Sequence, residues 1–271
     1  MSILVVALGK FQTSLVLMKN HPLQHVVALF SVAFILGCSG TPKIRSVSTG
    51  TIEFNTANSG VDSTTYKLIA PYKSGMEKIM NEVLAISDSA LTKELPQGSL
   101  GNFVSDAVLI KTNDHYFPAD KKPADICLLN NGGLRAQLPK GKITRGNVFE
   151  LMPFENSIVV LTLSGEKTKQ IFQYMVEANG APFSGAVLKS KGKQITELTI
   201  GGAAFDVNKT YKVATSDYLA LGGDKYDFFK DPIKVDTLNY LLRDAIIDQM
   251  IDENKKGNTI KGRKDGRIKF E

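Results

Sequence analysis

One segment of the chain passes from an apolar run into a polar turn: Ile126-Cys127-Leu128-Leu129-Asn130-Asn131-Gly132-Gly133-Leu134-Arg135. A short apolar run bounded by turn residues predicts a buried β-strand over residues 126–129. The two glycines that follow permit backbone angles and close approaches that other side chains block. The planar guanidinium of Arg135 suits a carboxylate or a phosphate. The segment therefore indicates either a site for a small polar ligand or an ordinary glycine turn.

Strand-like runs recur along the rest of the chain, over residues 158–163, 195–200, 211–215 and 268–270. Between them, apolar residues recur at helical spacing in four groups: Met76, Ile79, Met80 and Val83; Phe103, Ala107 and Ile110; Ile171, Tyr174 and Met175; and Leu238, Leu241, Leu242, Ala245 and Ile246. We expect the last three helices to begin near Ser99, at Ser164, and at Asp236 or Thr237. The mixture predicts an α/β fold, a single layered domain of mixed sheets and helices, with the strand order left open.

The N-terminal residues carry an export pattern. Residues 26–36 form an eleven-residue apolar run, which is shorter than the roughly 20 residues of a membrane-spanning helix. The run follows Lys19 and is followed by Gly37, and a basic start, an apolar stretch and a small residue are typical of a secretory signal peptide. Cys38 comes next, so the segment resembles the lipobox of bacterial lipoproteins, in which that cysteine becomes the lipidated first residue. An uncleaved membrane anchor is the alternative.

This pattern divides the chain into three parts. We predict a lipoprotein signal peptide over residues 1–37, starting at Met1 or at Met18. Residues 38–65 are rich in Ser, Thr, Gly and Asn and predict a polar tether, and residues 66–271 predict one folded domain. We expect the protein to be exported and lipid-anchored at the cell envelope, in the periplasm or on the outer-membrane surface.

The composition of the exported part restricts its chemistry. Without residues 1–37 the chain keeps 31 basic and 27 acidic side chains, and a charge of +4 is too small to indicate a nucleic-acid partner. Cys127 has no partner for a disulfide, and we expect it to be a buried, unreactive thiol. The one remaining histidine, His115, is expected in a solvated loop and cannot supply the several imidazoles of a two-metal hydrolase. We therefore find no self-sufficient catalytic constellation and predict no metal site in this chain.

Two further segments resemble ligand-binding loops. Pro153-Phe154-Glu155-Asn156 places an aromatic residue and an amide just before the strand predicted over residues 158–163. Asp217-Tyr218-Leu219-Ala220-Leu221-Gly222-Gly223-Asp224 follows a strand end and joins an aromatic residue to a diglycine and an acid. Taken singly, an aromatic core plug and an ordinary turn are sufficient explanations of these segments.

The order and spacing of all these segments are more specific. Together with Leu100-Gly101-Asn102-Phe103-Val104-Ser105-Asp106-Ala107, they resemble the C-terminal domain of the 5'-nucleotidase family. The resemblance covers about residues 66–271 and includes the closing Asp265-Gly266-Arg267-Ile268. We expect Asn102 and Asp106, one helical turn apart, to cap and pack their helix rather than to bind ligand.

The resemblance implies a two-part enzyme. Full-length members of the family join an N-terminal metallophosphoesterase domain, which holds two metal ions, to a C-terminal domain that binds the nucleoside part of the substrate. The resemblance then implies six substrate-binding residues. Asn130 and Arg135 would contact the sugar and the polar end of the substrate. Phe154 and Tyr218 would sandwich the base, with Asn156 beside it, and Asp224 would bind the ribose hydroxyls.

The sequence also departs from the family pattern. Many members carry an arginine a few residues before the motif at Gly101, where this chain has Thr92-Lys93-Glu94-Leu95-Pro96-Gln97, so that contact is lost or passes to Lys93. Tyr218 replaces the commoner phenylalanine, and the N-terminal catalytic domain has no counterpart before residue 66.

These features lead to a hypothesis of a split nucleotidase. This chain would bind the nucleotide or nucleoside, and a separate metallophosphoesterase chain would supply the divalent metals and the catalysis. The alternatives are a non-catalytic nucleoside-binding lipoprotein for scavenging or sensing, and a degenerate structural remnant. The retention of Asn130, Arg135, Phe154 and Asp224 together argues against the remnant.

Overall fold

The computed structural model describes residues 49–50 and 62–271. The predicted signal peptide, the lipidation at Cys38 and most of the predicted tether lie outside these residues. Among the helices that the model describes, none is both long enough and apolar enough to cross a bilayer. The remainder of the fold concerns residues 62–271, which form one compact unit.

Helices and strands alternate along this unit, in agreement with the sequence pattern. The helices are α1 (Ser63–Met80), α2 (Ser99–His115), α3 (Arg145–Leu151), α4 (Gly165–Glu177), α5 (Asp217–Ala220) and α6 (Leu242–Lys255). The strands are β1 (Val83–Ser87), β2 (Ile126–Leu128), β3 (Gly141–Thr144), β4 (Ser157–Ser164), β5 (Phe183–Ser184), β6 (Ala186–Lys191), β7 (Gln194–Ile200), β8 (Ala203–Ala204), β9 (Thr210–Ser216), β10 (Lys234–Leu241) and β11 (Ile268–Phe270). The prediction of an α/β fold with mixed sheets and helices is confirmed.

A five-stranded mixed sheet forms the centre of the unit, in the order β10-β4-β9-β2-β5. Strand β2 is parallel to β9, whereas β4 is antiparallel to both β9 and β10. Smaller sheets of two strands (β1-β3) and four strands (β11-β6-β7-β8) complete the unit. The C-terminal ends of the parallel strands β2 and β9 therefore lie at the same end of the sheet. The antiparallel strand β4 begins at that end.

Hydrophobic cores cover both faces of the central sheet. Along β4, Ile158 and Val160 pack into the core that contains buried residues of α2, α3 and α6. The alternate residues Val159 and Leu161 pack into a second core, with buried residues of α4. Successive side chains of a strand point to opposite faces, so a strand covered on both sides needs apolar residues at every position. This requirement explains the unbroken apolar run at residues 158–161.

Several predicted elements are confirmed in detail. Helix α2 begins at Ser99, and Ser164 caps α4 by accepting a hydrogen bond from the backbone N–H of Lys167 at 3.3 Å. Cys127 is fully buried in β2, as predicted, and burial raises the pKa of its thiol above the ordinary value, which disfavours the reactive thiolate.

Two predicted helix boundaries are wrong. Residues Lys234–Leu241 form strand β10, so the last helix begins at Leu242 and not at Asp236 or Thr237. Pairing with β4, from Lys234 opposite Thr162 to Leu241 opposite Ser157, overrides the helical spacing of the apolar residues. Val83 likewise begins strand β1.

His115 differs from its prediction in one respect. It is exposed, as expected, but it is the last residue of α2 rather than part of a loop. Its ring stacks on Tyr240, with the ring centroids 4.3 Å apart. Its Nδ1 lies 2.9 Å from the backbone carbonyl oxygen of Lys111. The histidine therefore packs the C-terminal end of α2 against β10.

The motif around Gly101 has a structural role, as predicted, although neither polar residue caps the helix. The N-cap of α2 is Gly98, and it has no side-chain capping bond. Asn102 donates a hydrogen bond from Nδ2 to the backbone carbonyl of Arg263 at 3.0 Å. Asp106 accepts two hydrogen bonds from Arg267, at 2.7 and 2.8 Å. The motif thus attaches the C-terminal segment to α2.

Candidate functional site

The sheet topology brings the three predicted binding segments to one edge. The parallel strands β2 and β9 pair Cys127 with Ala214, so the residues that follow both strands lie at the same end. Strand β4 runs the opposite way and pairs Ile158 with Ser216, so the residues that precede it lie there too. Asn130, residues 153–156 and residues 217–224 therefore meet, although up to 94 positions separate them in sequence.

Asp224 is the centre of a cluster of three predicted site residues. The side-chain amide of Asn130 donates a short hydrogen bond to Oδ2 of Asp224. The hydroxyl of Tyr218 donates to Oδ1 of the same carboxylate at 2.8 Å. This hydrogen bond to the carboxylate raises the pKa of the Tyr218 phenol above its ordinary value of 10.0. We refer to Asn130, Tyr218 and Asp224 as the carboxylate cluster.

The glycines of the first segment make room for the carboxylate cluster. A Cβ atom at Gly133 would lie 2.7 Å from Oδ1 of Asn130, which is closer than real Cβ contacts. A Cβ atom at Gly132 would lie 3.3 Å from both the Asn130 amide nitrogen and Oδ2 of Asp224. The two glycines therefore allow their backbone to pass close to the side chain of Asn130, which is the kind of close approach that the sequence suggested.

The loop that carries Asp224 has an unusual backbone. Gly222, Asp224 and Lys225 have φ angles of 89°, 52° and 64°, in the region that residues other than glycine rarely adopt. Gly223 lies against the aromatic ring of Tyr218, because a Cβ atom there would be 2.5 Å from two ring atoms. The backbone of Gly223 thus covers part of that ring, and the side chain remains 46% exposed.

Phe154 and Asn156 are positioned by backbone contacts at the entry to β4. The carbonyl of Phe154 accepts a hydrogen bond from Nη1 of Arg243 at 3.3 Å, and that of Asn156 accepts one from the N–H of Leu242 at 3.0 Å. The pairing of Ile158 with Ser216 ends the ladder between β4 and β9, so residues 153–156 lie at the same end of the sheet as α5. The Phe154 side chain is 39% exposed.

Asp217 is a positioning residue that the sequence pattern did not single out. Its Oδ2 accepts a hydrogen bond from the N–H of Ser157 at 3.2 Å, and its Oδ1 accepts one from the N–H of Tyr218 at 2.7 Å. The carboxylate therefore joins the start of β4 to the start of α5. An acid in the first turn after the N-cap Ser216 was the available signal.

Arg135 borders the cluster and is exposed. Its backbone N–H donates to the carbonyl of Leu151 at 2.8 Å, and its Nη1 approaches the carbonyl of Gly132 at 3.4 Å. Lys93 donates from Nζ to the carbonyl of Leu134 at 3.3 Å, so an amino group lies beside the turn that holds Arg135. Within residues 62–271, no side-chain hydrogen bond joins Arg135, Phe154 or Asn156 to the carboxylate cluster.

The arrangement suits a ligand with a flat apolar part and a polyhydroxyl part. Phe154, Tyr218 and Leu221 are exposed apolar or aromatic residues of the segments at this end of the sheet, and the last of these is 86% exposed. In the part of the chain that the structure describes, no group of three or more His, Cys, Asp or Glu side chains could hold a metal ion. The carboxylate of Asp224 offers acceptors for hydroxyl donors, and the exposed ring of Tyr218 lies beside it. An exposed aromatic ring next to a carboxylate is an arrangement suited to binding such a ligand.

Comparisons with known proteins agree with this description. The family model described as the 5'-nucleotidase C-terminal domain matches residues 78–231. The trifunctional nucleotide phosphoesterase protein YfkN of Bacillus subtilis is 31% identical over 222 residues, covering 73% of this chain and 14% of that protein. An apyrase of Tabanus yao is 26% identical over 215 residues, covering 70% and 38% respectively. The chain thus spans well under half the length of these curated relatives.

Solved structures share the fold. A 5'-nucleotidase precursor from Thermus thermophilus superimposes with a TM-score of 0.63 at 24% identity, over 77% of this chain and 43% of that chain. The NAD nucleotidase of Haemophilus influenzae has a TM-score of 0.55 at 21% identity, over 77% of this chain and 41% of that chain. At this level of identity the likeness concerns the fold alone.

Proposed function

The chain belongs to the 5'-nucleotidase C-terminal domain family, and from this membership we propose that it is the nucleotide- or nucleoside-binding half of a split 5'-nucleotidase. A separate metallophosphoesterase chain would hold the divalent metals and cleave the phosphate ester. The observation that carries the proposal is the carboxylate cluster, in which the exposed aromatic ring of Tyr218 lies beside the Asp224 carboxylate. Binding alone does not break the ester, so hydrolysis requires the partner.

We assign the six site residues the roles that the family resemblance implies, and these roles are consistent with the chemistry of the side chains. Phe154 and Tyr218 present aromatic rings that can stack on a base, and stacking of this kind contributes about 1–3 kcal/mol. Asp224 accepts ribose hydroxyls through charge-assisted hydrogen bonds. Asn156 lies beside the base, and Asn130 and Arg135 lie towards the sugar and the polar end of the ligand. Lys93, whose Nζ contacts the turn before Arg135, adds a positive charge at that end.

The location of the protein is part of the same proposal. Export by the signal peptide and lipidation at Cys38 would place the domain at the cell envelope, in the periplasm or on the outer-membrane surface. An anchor on both chains would raise the effective concentration of each half for the other. The proposal on this point fails if the two chains reside in different compartments.

Replacement of Phe154 by alanine tests the binding site directly. We expect the mature protein to bind adenosine in titration calorimetry, and we expect Phe154→Ala to weaken that binding by about tenfold, because one stacking partner is lost. Phe117 is the matched control, since its ring is 85% exposed in a loop at the other end of β2. The variant Phe117→Ala should bind adenosine as the unmodified protein does.

Either of two results would contradict this assignment. Equal affinities for the unmodified protein and Phe154→Ala would show that the ring does not contact the base. No measurable adenosine binding by a folded protein would refute the nucleoside-binding role altogether.

A hydrolysis assay separates the split enzyme from its alternatives. With Mn²⁺ and AMP, we expect no phosphate release by the purified mature protein and release when a separately produced metallophosphoesterase chain is added. The variant Asp224→Ala distinguishes true activity from contamination, because only activity that uses this site depends on Asp224. Release by the mature protein alone that disappears in Asp224→Ala would overturn the split arrangement. Adenosine binding without stimulation of any partner would instead favour a scavenging or sensing lipoprotein.

A further inference from the structure

The hydroxyl of Tyr218 distinguishes this site from one built on phenylalanine. A phenylalanine ring at position 218 could stack on a base equally well, so the hydroxyl needs its own explanation. In the structure it donates to Oδ1 of Asp224 at 2.8 Å, from a residue six positions away. The hydroxyl therefore acts on the carboxylate rather than on the base.

Each carboxylate oxygen of Asp224 accepts one hydrogen bond from the protein. An ionised carboxylate has two oxygen atoms with about four lone-pair positions in total. The Asn130 amide occupies a position on Oδ2, and the Tyr218 hydroxyl occupies one on Oδ1. Among the described residues no other side chain donates to either oxygen, which leaves about one lone-pair position on each. Two adjacent hydroxyl groups of a ligand, a vicinal diol, supply one donor for each of these positions.

The backbone conformation at Asp224 requires contacts from other residues to hold it in place. Asp224 and Lys225 both have positive φ angles, and residues in this region persist only where the surrounding structure fixes them. Gly222 before them has φ of 89° and adds freedom to the same loop. The side chain of Asp224 has only the hydrogen bonds from Asn130 and Tyr218 to orient it within the described residues.

We propose that the Tyr218 hydroxyl is a positioning and specificity residue, which orients the Asp224 carboxylate so that the site prefers ligands with a vicinal diol. The inference rests on the proposed function and deepens it by giving the Tyr218 hydroxyl a part in selecting ribonucleosides over sugars that lack both hydroxyls. The ring of Tyr218 packs against Gly223 while its hydroxyl contacts Asp224, so one side chain joins base stacking to sugar recognition.

The test compares ligands as well as variants. Adenosine carries the diol, 2',3'-dideoxyadenosine lacks it, and adenine lacks the sugar. In titration calorimetry we expect Tyr218→Phe to weaken adenosine binding by about fivefold. This is less than the loss of a direct hydrogen bond from the ligand to a charged group, because the hydroxyl acts on the ligand only through Asp224. Binding of 2',3'-dideoxyadenosine and of adenine should stay within about twofold, because phenylalanine preserves the stacking ring.

A matched control removes the same kind of bond elsewhere. The hydroxyl of Tyr240 donates to Asp248 at 2.6 Å, so this bond includes no member of the carboxylate cluster. We expect Tyr240→Phe to leave the ratio of adenosine to 2',3'-dideoxyadenosine affinities unchanged. A change in that ratio confined to Tyr218→Phe supports the proposal.

A second variant, Asp224→Asn, tests whether the Tyr218 hydroxyl acts through the carboxylate. In an Asp224→Asn background the carboxylate is absent, so Tyr218→Phe should no longer alter the preference for the diol. Equal losses for all three ligands, a gain in adenosine affinity, or the same diol preference with and without the hydroxyl would overturn the inference. If adenosine does not bind any form of the folded protein, the proposed function itself fails, which is a separate outcome.

Discussion

Replacement of Arg267 by alanine is expected to lower the free energy of unfolding by about 2–3 kcal/mol. The side chain of Arg267 is 12% exposed, and it donates two hydrogen bonds to Asp106 at 2.7 and 2.8 Å and a third to the carbonyl of Phe183 at 2.8 Å. It also bonds both carboxylate oxygens of Asp265. Removing the guanidinium leaves two neighbouring carboxylates without their cation. Because the Asp106 side chain is 38% exposed, water compensates part of the loss, and the expected effect is below that of a fully buried pair.

Chemical denaturation measures this effect, with Lys269→Ala, two residues further along the chain, as the control. Lys269 pairs with Glu271 at 2.8 Å, but both side chains are more than half exposed, so its removal should change the free energy of unfolding by less than about 0.5 kcal/mol. Equal, small effects of Arg267→Ala and Lys269→Ala would show that the network does not stabilise the fold.

The Arg267 effect should also depend on pH. Burial opposes the ionisation of Asp265, but hydrogen bonds from Arg267 outweigh it and lower the pKa of Asp265 below its ordinary value of 3.8. A lowered folded-state pKa gives stability that is present above the ordinary value and lost as the pH falls through the lowered one. The difference between the unmodified protein and Arg267→Ala should therefore shrink in strong acid and stay constant at neutral pH.

Replacement of Asp224 by alanine should have the largest effect on ligand binding. We expect the dissociation constant for adenosine to rise by roughly 100-fold, since the site loses the acceptor for two hydroxyl donors and hydrogen bonds to charged groups are each worth about 1.5–3 kcal/mol. The exposure of Asp224 places the estimate near the lower end of the summed range. Titration calorimetry with the folded variant measures the change.

Asp227→Ala provides the matched control for Asp224→Ala. Asp227 lies three positions further on, and its 67% exposed side chain pairs with Lys230 at 2.7 Å. We expect it to bind adenosine within about twofold of the unmodified protein, because surface pairs of this kind contribute little. Similar affinities for both variants would remove Asp224 from the site and, with it, the sugar-binding role.

The long-range partners of a segment explain why some predictions failed. Residues 126–129 and 158–163 carried enough apolar character to be identified as strands from local sequence alone. The segment Lys234–Leu241 carried helical spacing, but it forms the edge strand beside β4 because its backbone pairs with residues 72 to 84 positions earlier. The spacing of apolar residues indicates which side of a helix or strand is buried. It does not indicate which other strand the backbone will pair with.

The candidate site shows the same difference between local sequence patterns and long-range contacts. The sequence presented three segments with binding chemistry and their family resemblance, and it even identified Tyr218 as a departure from the usual phenylalanine. It did not show that the Tyr218 hydroxyl reaches Asp224, that Gly133 accommodates the Asn130 amide, or that Asp217 joins β4 to α5. Each of these contacts depends on side-chain direction at the ends of different strands.

The sequence by itself determined the α/β class, the family, the apolar runs that are buried on both sides and the kinds of side chain available to a ligand. These properties depend on composition, period and order, which are local and can be read along the chain. Only the tertiary structure decided the strand order β10-β4-β9-β2-β5 and, through it, the meeting of Asn130 with Asp224. The physical reason is that parallel pairing of β2 with β9 brings two distant strand ends to one edge, and no local pattern specifies that pairing.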